Sequence, residues 1–315
     1  MPSKSAVCEV SVVLPAHNEA RGIGRAVQVL SSILEGVAAS HEIIVVDDGS
    51  RDQTFETAAA LCAHNPQLRV LSLSRNFGKE AALLAGLTAA SGRAVITMDA
   101  DLQHPPALIP VFLTHWRNGA KVVHGVKEDR QTDSLPQRLR ARVFNALLTR
   151  LGGFNCSNCS DYKLLDREVV DILTTRMPER NRLYRGLASW VGFRQEFVGF
   201  VVAERLDGAS SFSLKALMAL ATTALVSFST IPLRIVTFLG ALTLLLGVGV
   251  AGEAFWSWSH DRAVSGFMTL IMTLLIIGSC IMISLGIIGE YVGRIYEELK
   301  ARPVFLVERR AGFEE

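Results

Sequence analysis

Ala94-Val95-Ile96-Thr97-Met98-Asp99-Ala100-Asp101-Leu102-Gln103 turns from apolar to acidic within a few positions. A short β-branched run with no polar face reads as a strand covered on both sides, and the acids begin where it stops. The same change occurs three times upstream. Glu9–Leu14 runs into Pro15-Ala16-His17-Asn18-Glu19, Glu42–Val46 into Asp47-Asp48-Gly49-Ser50, and Arg69–Leu73 into Arg75-Asn76-Phe77-Gly78-Lys79. Lys121–His124 is a fifth run, and helical spacing fills Gly22–Leu34, Thr54–Ala63, Lys79–Ala90 and Ala107–Arg117 between them. Alternation of this kind predicts an α/β domain with a mostly parallel sheet and helices on both faces. Ligands of such sheets sit outside the carboxyl ends of the strands, where the four polar tips converge. Taken singly, Ser50 or Asp52 could be a helix cap and Asp48-Gly49 an ordinary turn. Their coincidence at the strand ends points to a binding crevice.

Charge thins out sharply further along the 315 residues. Lys and Arg number 32 against 30 Asp and Glu, and half of the residues are apolar. The mean hydropathy of +0.31 is high for a soluble chain and has a local source. Positions 235–252 and 263–289 carry no charge, and either stretch can cross a hydrocarbon core about 30 Å thick. Two membrane spans are expected, with Trp256 and Trp258 as interfacial anchors in a short hairpin. Ala216–Leu233, rich in Ala, Thr and Ser and broken by Pro232, is expected to lie in the interface. Lys215, Arg234, Arg294, Lys300 and Arg302 flank the spans on one side, which places both termini in the cytosol. The near-zero net charge argues against nucleic acid as a partner. Five scattered cysteines make no disulfide framework, and Cys156-x-x-Cys159 lacks a second ligand pair for zinc. From Lys127 to Arg150 the chain is basic, and its second half has the spacing of an amphipathic helix, or of a solvated charged face.

The crevice residues suggest a chemistry. Asp99 and Asp101 are hard oxygen donors of the kind that hold Mg²⁺ or Mn²⁺ together with a substrate's phosphates. Lys79 opens a helix beside them. Asp48 and the Pro15–Glu19 segment, with His17 against a base, are placed to hold a nucleoside. No G-x-x-x-x-G-K-[ST] is present, and Gly22-Ile23-Gly24 lacks the third glycine of a dinucleotide fingerprint, so ATPase and nicotinamide readings are poor.

The strings VSVVLPAHNEA, EIIVVDDGSRDQT, LSRNFGKEAALLAGL, ITMDADLQHPP, CSDYKLLDREVV, PERNRLYRGLASWVGFRQ and SLGIIGEYVGRIYEELKARP occur in that order. Together they resemble family 2 glycosyltransferases that load a polyprenyl phosphate with one sugar. With two C-terminal spans the chain resembles the bactoprenol glucosyltransferases, relatives of dolichol-phosphate mannose synthase. The resemblance implies a GT-A domain over 1–212, an interfacial helix over 213–233, a two-span hairpin over 234–290 and a cytosolic tail over 291–315. It implies that Asp99 and Asp101 form a metal-binding D-x-D with Gln103 as a further ligand, and that Asp48 contacts the nucleoside. Asp161 matches an acid proposed as catalytic base, Arg205 an arginine near the donor diphosphate, and Lys127 an arginine after the fifth strand. Where the family carries a phosphate-contacting lysine, this chain has Ser211.

The activity so implied is inverting transfer of one sugar, glucose from UDP-glucose foremost, to undecaprenyl phosphate at the cytosolic face of a bacterial inner membrane. Other sugars are open: mannose from GDP-mannose, GlcNAc or an aminoarabinose derivative. A processive polysaccharide synthase or a non-catalytic membrane partner are the rival readings. A lipid phosphate is already mostly a dianion at neutral pH, so a strong base is unnecessary. Lys127, Arg130 and Arg138 are the residues expected at the acceptor phosphate, and Asp161 is therefore expected to orient cations that meet the acceptor, such as Arg130 or Arg138. A homo-oligomer is implied by the resemblance alone.

Overall fold

The computed structural model describes residues 8–127, 159–177, 179–180, 182–201, 231–260 and 266–313. These form two compact units, 1–212 with 303–315, and 213–302. The first holds strands β1 (Cys8–Ala16), β2 (His41–Asp47), β3 (Leu68–Leu73), β4 (Gly92–Thr97), β5 (Val122–Lys127), β6 (Cys159–Asp166), β7 (Gln195–Phe200) and β8 (Val307–Ala311). Its helices are α1 (Ile23–Val37), α2 (Thr54–Cys62), α3 (Lys79–Ala89), α4 (Ile109–Arg117), α5 (Arg167–Asp171) and α6 (Tyr184–Trp190). They surround one sheet in the order β7-β5-β6-β4-β1-β2-β3-β8. The pairs β1–β2, β1–β4, β2–β3 and β5–β7 are parallel, while β6 runs antiparallel to β4 and β5.

The centre of the sheet is dry. Val10, Val12, Val13 and Leu14 of β1 and Ile43 to Val46 of β2 are fully buried, because helices cover both faces. On one face α1 buries Ile23, Ala26, Val27, Leu30 and Leu34, a stripe of helical spacing. On the other, α3 lies close because its residues are small. A methyl group added at Gly86 would come within 2.2 Å of Val13 Cγ1, closer than any real contact. That close approach brings the first turn of α3, with Lys79, over the ends of β1 and β2.

The five expected strands and four expected helices are all present, and three further strands accompany them. The last of these corrects the expectation of a tail over 291–315. The helix that was expected to end by position 290 runs on to Leu299, and Val307–Ala311 then pairs antiparallel with β3, with Val70 opposite Ala311 and Leu73 opposite Val307. Arg309 fixes this edge strand, donating to Glu56 Oε1 at 2.7 Å and lying over the Phe55 ring.

The second unit contains α7 (Ile231–Ser259) and α8 (Phe267–Leu299), which pack on each other. Within them Leu233–Ser257 and Leu270–Leu299 are long and apolar enough to cross a membrane. Their side chains face outward, with Leu244, Leu245 and Met282 more than two-thirds exposed, as lipid-facing residues are. The basic helix expected between Gln137 and Arg150 lies outside the described residues, as do 213–230 of the interfacial helix expected over 213–233, whose last three residues, Ile231–Leu233, instead open α7.

Candidate active site

Each strand end contributes a loop, and the loops hold one another. After β1 the chain turns through Asn18, a non-glycine residue at φ +58°, whose Oδ1 accepts from Arg51 N–H and whose own N–H donates to Ser50 Oγ. Asparagine tolerates this left-handed conformation better than most residues. The β1 and β2 loops are thereby joined. Gly49, also left-handed, presses the β2 loop against the β3 loop, since an added Cβ would meet the Arg75 carbonyl carbon at 2.3 Å. Asp48, 4% exposed, accepts from Phe77 N–H at 2.8 Å and Gly78 N–H at 2.9 Å with its two carboxylate oxygens. The residue expected to contact a nucleoside thus also shapes the loop that delivers Lys79.

His17 stands at the mouth of this cleft. Its Nδ1 lies 3.0 Å from the Asp48 carbonyl oxygen, which can only accept, so Nδ1 carries the proton. Nε2 then accepts from Asn76 Nδ2 at 3.2 Å. Two bonds fix the plane of the ring. Pro15, Glu19, Asp48, Asn76, Lys79, Asp99 and Asp101 line the same cleft.

Asp99 and Asp101 follow β4 on a loop that contains Leu102 at φ +56°. A leucine held there stores on the order of 1 kcal/mol of strain. Two contacts hold it: Gln103 N–H donates to Asp101 Oδ1 at 3.0 Å, and Asp99 N–H donates to His104 Nδ1 at 3.2 Å. Burial drives the His104 pKa down to about 4, so the ring is a neutral acceptor, and it stacks on Tyr162 at 5.2 Å.

Asp161 reaches the same place from β6, because β6 pairs with β4. Thr97 Oγ1 donates to the Asp161 carbonyl at 2.6 Å. The Asp161 carboxylate is buried and sits between two cations. Lys79 Nζ is 2.6 Å from Oδ2 and also 2.5 Å from Asp99 Oδ1. Arg185 donates through Nε to Oδ1 at 2.7 Å and through Nη2 to Oδ2 at 3.0 Å. Burial alone would raise the Asp161 pKa, but Arg185 and Lys79 overcome it and hold the acid far below the usual carboxylate range. Burial likewise opposes the Lys79 charge, and Asp161 and Asp99 outweigh it to raise the lysine pKa. Arg185 is fixed from behind: its neighbour Tyr184 donates its backbone N–H to Glu80 Oε2 at 2.8 Å. Burial, with Asp161 adding to it, pushes the Glu80 carboxyl up to about 7.

Asp99, Asp101, Lys79, Asp48, His17, Pro15 and Glu19 line one cleft, with Asn18 holding the loop behind them. Lys127 ends β5, close enough for Asp99 and Asp161 to act on its charge. Gln103 enters the site through its backbone N–H, which donates to Asp101. Arg130, Arg138 and Arg205 lie outside the described residues. The cations found on Asp161 are Lys79 and Arg185, and the sequence reading assigns no role in this site to Arg185, Glu80 or His104. Arg185 lies 24 positions beyond Asp161, and only tertiary pairing joins them.

The donor set suits a divalent metal of a particular kind. Among the described residues no group of three or more His, Cys, Asp or Glu side chains could hold one by itself. Two carboxylates on one loop suit Mg²⁺ or Mn²⁺, ions that keep waters and share their coordination with substrate phosphates.

Residues 11–173 match the model of glycosyl transferase family 2, and residues 231–295 match that of the GtrB C-terminal hairpin. An uncharacterized glycosyltransferase of Synechocystis is 38% identical over 308 residues, 97% of this chain and 96% of that one. The prophage bactoprenol glucosyl transferase homolog of Escherichia coli is 36% identical over 96% of this chain and 99% of its own. The bactoprenol glucosyl transferase of Shigella phage SfII is 36% identical over 96% and 98%. Among solved structures, glucosyl-3-phosphoglycerate synthase of Mycobacterium tuberculosis, in complex with Mn²⁺ and UDP-glucose, matches at TM-score 0.48 and 25% identity over 70% of this chain and 78% of that one. The sheet with its acidic loop after β4 is accordingly a GT-A domain, and the chain belongs to glycosyltransferase family 2 as an enzyme with a C-terminal hairpin of the GtrB type.

Proposed function

We propose that this enzyme transfers glucose from UDP-glucose to undecaprenyl phosphate at the cytosolic face of a bacterial inner membrane, with inversion at the anomeric carbon. The observation that carries the reading is the meeting of Asp99, Asp101, Lys79 and Asp161 at the ends of β4, α3 and β6, beside a cleft edged by His17 and Asn76. The names of the E. coli and phage relatives support bactoprenol as acceptor and glucose as sugar.

In this reading His17 and Asn76 bind the base and Asp48 holds the loop under the nucleoside. Asp99 and Asp101 hold Mg²⁺ or Mn²⁺, which when bound supplies positive charge to the departing diphosphate. Lys79 adds a cation beside them. A phosphate oxygen of the acceptor forms the new bond to the anomeric carbon as the bond to UDP breaks. The donor diphosphate carries two negative charges and the acceptor two; UDP leaves with three and the phosphodiester keeps one. No proton is transferred, so Asp161, held anionic by Arg185 and Lys79, serves to orient those cations. Positioning and electrostatic stabilisation supply the rate enhancement.

Strand β8 supports a reading of the membrane topology. The chain leaves the GT-A unit beyond β7 and is paired with β3 again at Val307, which in this reading calls for an even number of crossings in between. Two spans, α7 and α8, meet that condition. An acceptor with a prenyl tail stays in the bilayer, and the hairpin keeps the enzyme there with it.

The test is incubation of the full chain with undecaprenyl phosphate and radiolabelled UDP-glucose, UDP-GlcNAc or GDP-mannose, with and without chelator, followed by extraction of the lipid phase. Label from UDP-glucose enters the lipid phase only with metal present. Label from another sugar alone overturns the donor, and none from any sugar overturns the reaction.

A further inference from the structure

The cationic side of the site is larger than its motifs. Along one chain of contacts the order is Asp99, Lys79, Asp161, Arg185. Lys79 and Asp161 thus separate the Arg185 guanidinium from the carboxylate that faces metal and donor diphosphate. In an in-line displacement the attacking oxygen approaches the anomeric carbon from the side opposite the leaving group. The acceptor's phosphate therefore needs cations displaced from the donor's, and Arg185 is so placed.

Exposure separates the two partners of the pair. The Asp161 side chain is 7% exposed, whereas that of Arg185 is 46% exposed. The acid is sunk and the guanidinium reaches out from it, fixed by two hydrogen bonds and by the Glu80 bond that holds Tyr184. Lys127 stands nearby at the end of β5. Desolvation and then the Arg185 charge lower its pKa, so the two cations act on each other. Like charges held together by a fold are relieved by an anion between them, and a planar guanidinium locked on one carboxylate is preorganised for a phosphate.

We propose that Arg185, with Lys127 beside it, binds the phosphomonoester of the acceptor, and that Asp161 sets the orientation of the guanidinium. The inference rests on the polyprenyl-phosphate reading above and adds a residue to it. Arg185 meets the phosphate as a dianion and holds it as a monoanion once the sugar is attached, so its grip weakens on product formation and favours release.

Binding of farnesyl phosphate to the full chain in nanodiscs, measured without donor, tests this. Farnesol is the control lacking phosphate, and Arg194→Ala, which alters an exposed arginine paired with Glu196, is the control for lost surface charge. Wild type binds farnesyl phosphate and not farnesol. Arg185→Ala weakens binding by about ten- to a hundredfold, the range for a lost hydrogen-bonded charge, and Arg185→Lys falls between. Affinity for UDP with Mn²⁺ changes less than about threefold, a factor below ~1 kcal/mol, which also reports that the variant is folded. Inorganic phosphate as a second probe separates a site for any phosphate dianion, from which it displaces farnesyl phosphate, from one that needs the prenyl chain; dependence on Arg185 supports the assignment in either arm. Unchanged farnesyl phosphate binding in Arg185→Ala overturns it, and so does a parallel loss of UDP affinity, which would make Arg185 a counter-ion for the whole site. If wild type binds no prenyl phosphate, the acceptor reading itself has failed.

Discussion

At the scale of single residues, the site is an exercise in keeping charge where it is wanted. Asp161 is held anionic by Arg185 and Lys79, so it stays ionised throughout the accessible pH range. The acid limb of kcat/KM for the acceptor then belongs to the substrate's phosphate, with a midpoint near its second pKa of about 6. A phosphonate acceptor, with its higher pKa, moves that limb upward in a pH–rate profile; a limb that stays in place assigns it to an enzyme group instead. Glu80 gives a second prediction with a definite sign. Its carboxyl titrates near 7 in the folded protein against an ordinary value of 4.5, so the fold favours the protonated form. That contribution is complete below about pH 4.5 and is lost as pH rises through 7, a swing on the order of 3 kcal/mol. Glu80→Gln keeps an acceptor for the Tyr184 N–H without the titration. Between pH 5 and 8 the melting temperature of wild type therefore falls relative to that of the variant, as measured by scanning fluorimetry. Asp99, Asp101 and Lys79 were legible in the sequence because each stands in a polar stretch that follows an apolar strand. Arg185 and His104 were not, since their roles exist only once β6 pairs with β4 and the loop after β4 folds back.

Among elements, α3 and β6 decide the geometry of the site, and they differ in how openly the sequence announces them. The Ala- and Gly-rich stretch of α3 reads as a helix and packs as one, but nothing in its spacing reveals that Gly86 sets the distance to β1. Gly86→Val fills space already held by Val13 Cγ1 and costs about 1–3 kcal/mol or more, seen as a lower melting temperature, with Lys79 displaced and activity reduced beyond the loss of stability. Strand β6 hides because Ser160, Asp161 and Lys163 are buried polar residues in the middle of it, which breaks the apolar pattern of a covered strand. Strand β8 hides for the opposite reason. Val307-Glu308-Arg309-Arg310-Ala311 is short and charged, the composition that protects a sheet edge from pairing with another chain. A pattern search passes over it and reads a tail.

For the whole molecule, β8 has a consequence for how the hairpin serves the enzyme. Ser74 N–H donates to Leu306 O at 2.9 Å, immediately before the loop that carries Lys79, so the segment returning from α8 braces the catalytic loop. Deleting residues 303–315 leaves both apolar helices and every acid of the site in place. It uncovers the edge of β3, and the melting temperature is expected to fall by several degrees, with activity lower at temperatures where the truncated chain is still folded. An unchanged melt and unchanged turnover would make β8 a passive end. The crevice itself is tested by titrating the full chain with UDP in the calorimeter, with Mn²⁺ and with chelator, for wild type and Asp101→Asn. Wild type binds UDP at least about tenfold more tightly with Mn²⁺, a difference of ~1.4 kcal/mol, and Asp101→Asn removes that gain. Equal affinity with and without the ion, or a gain that survives the substitution, contradicts a nucleotide held against a metal by the two aspartates.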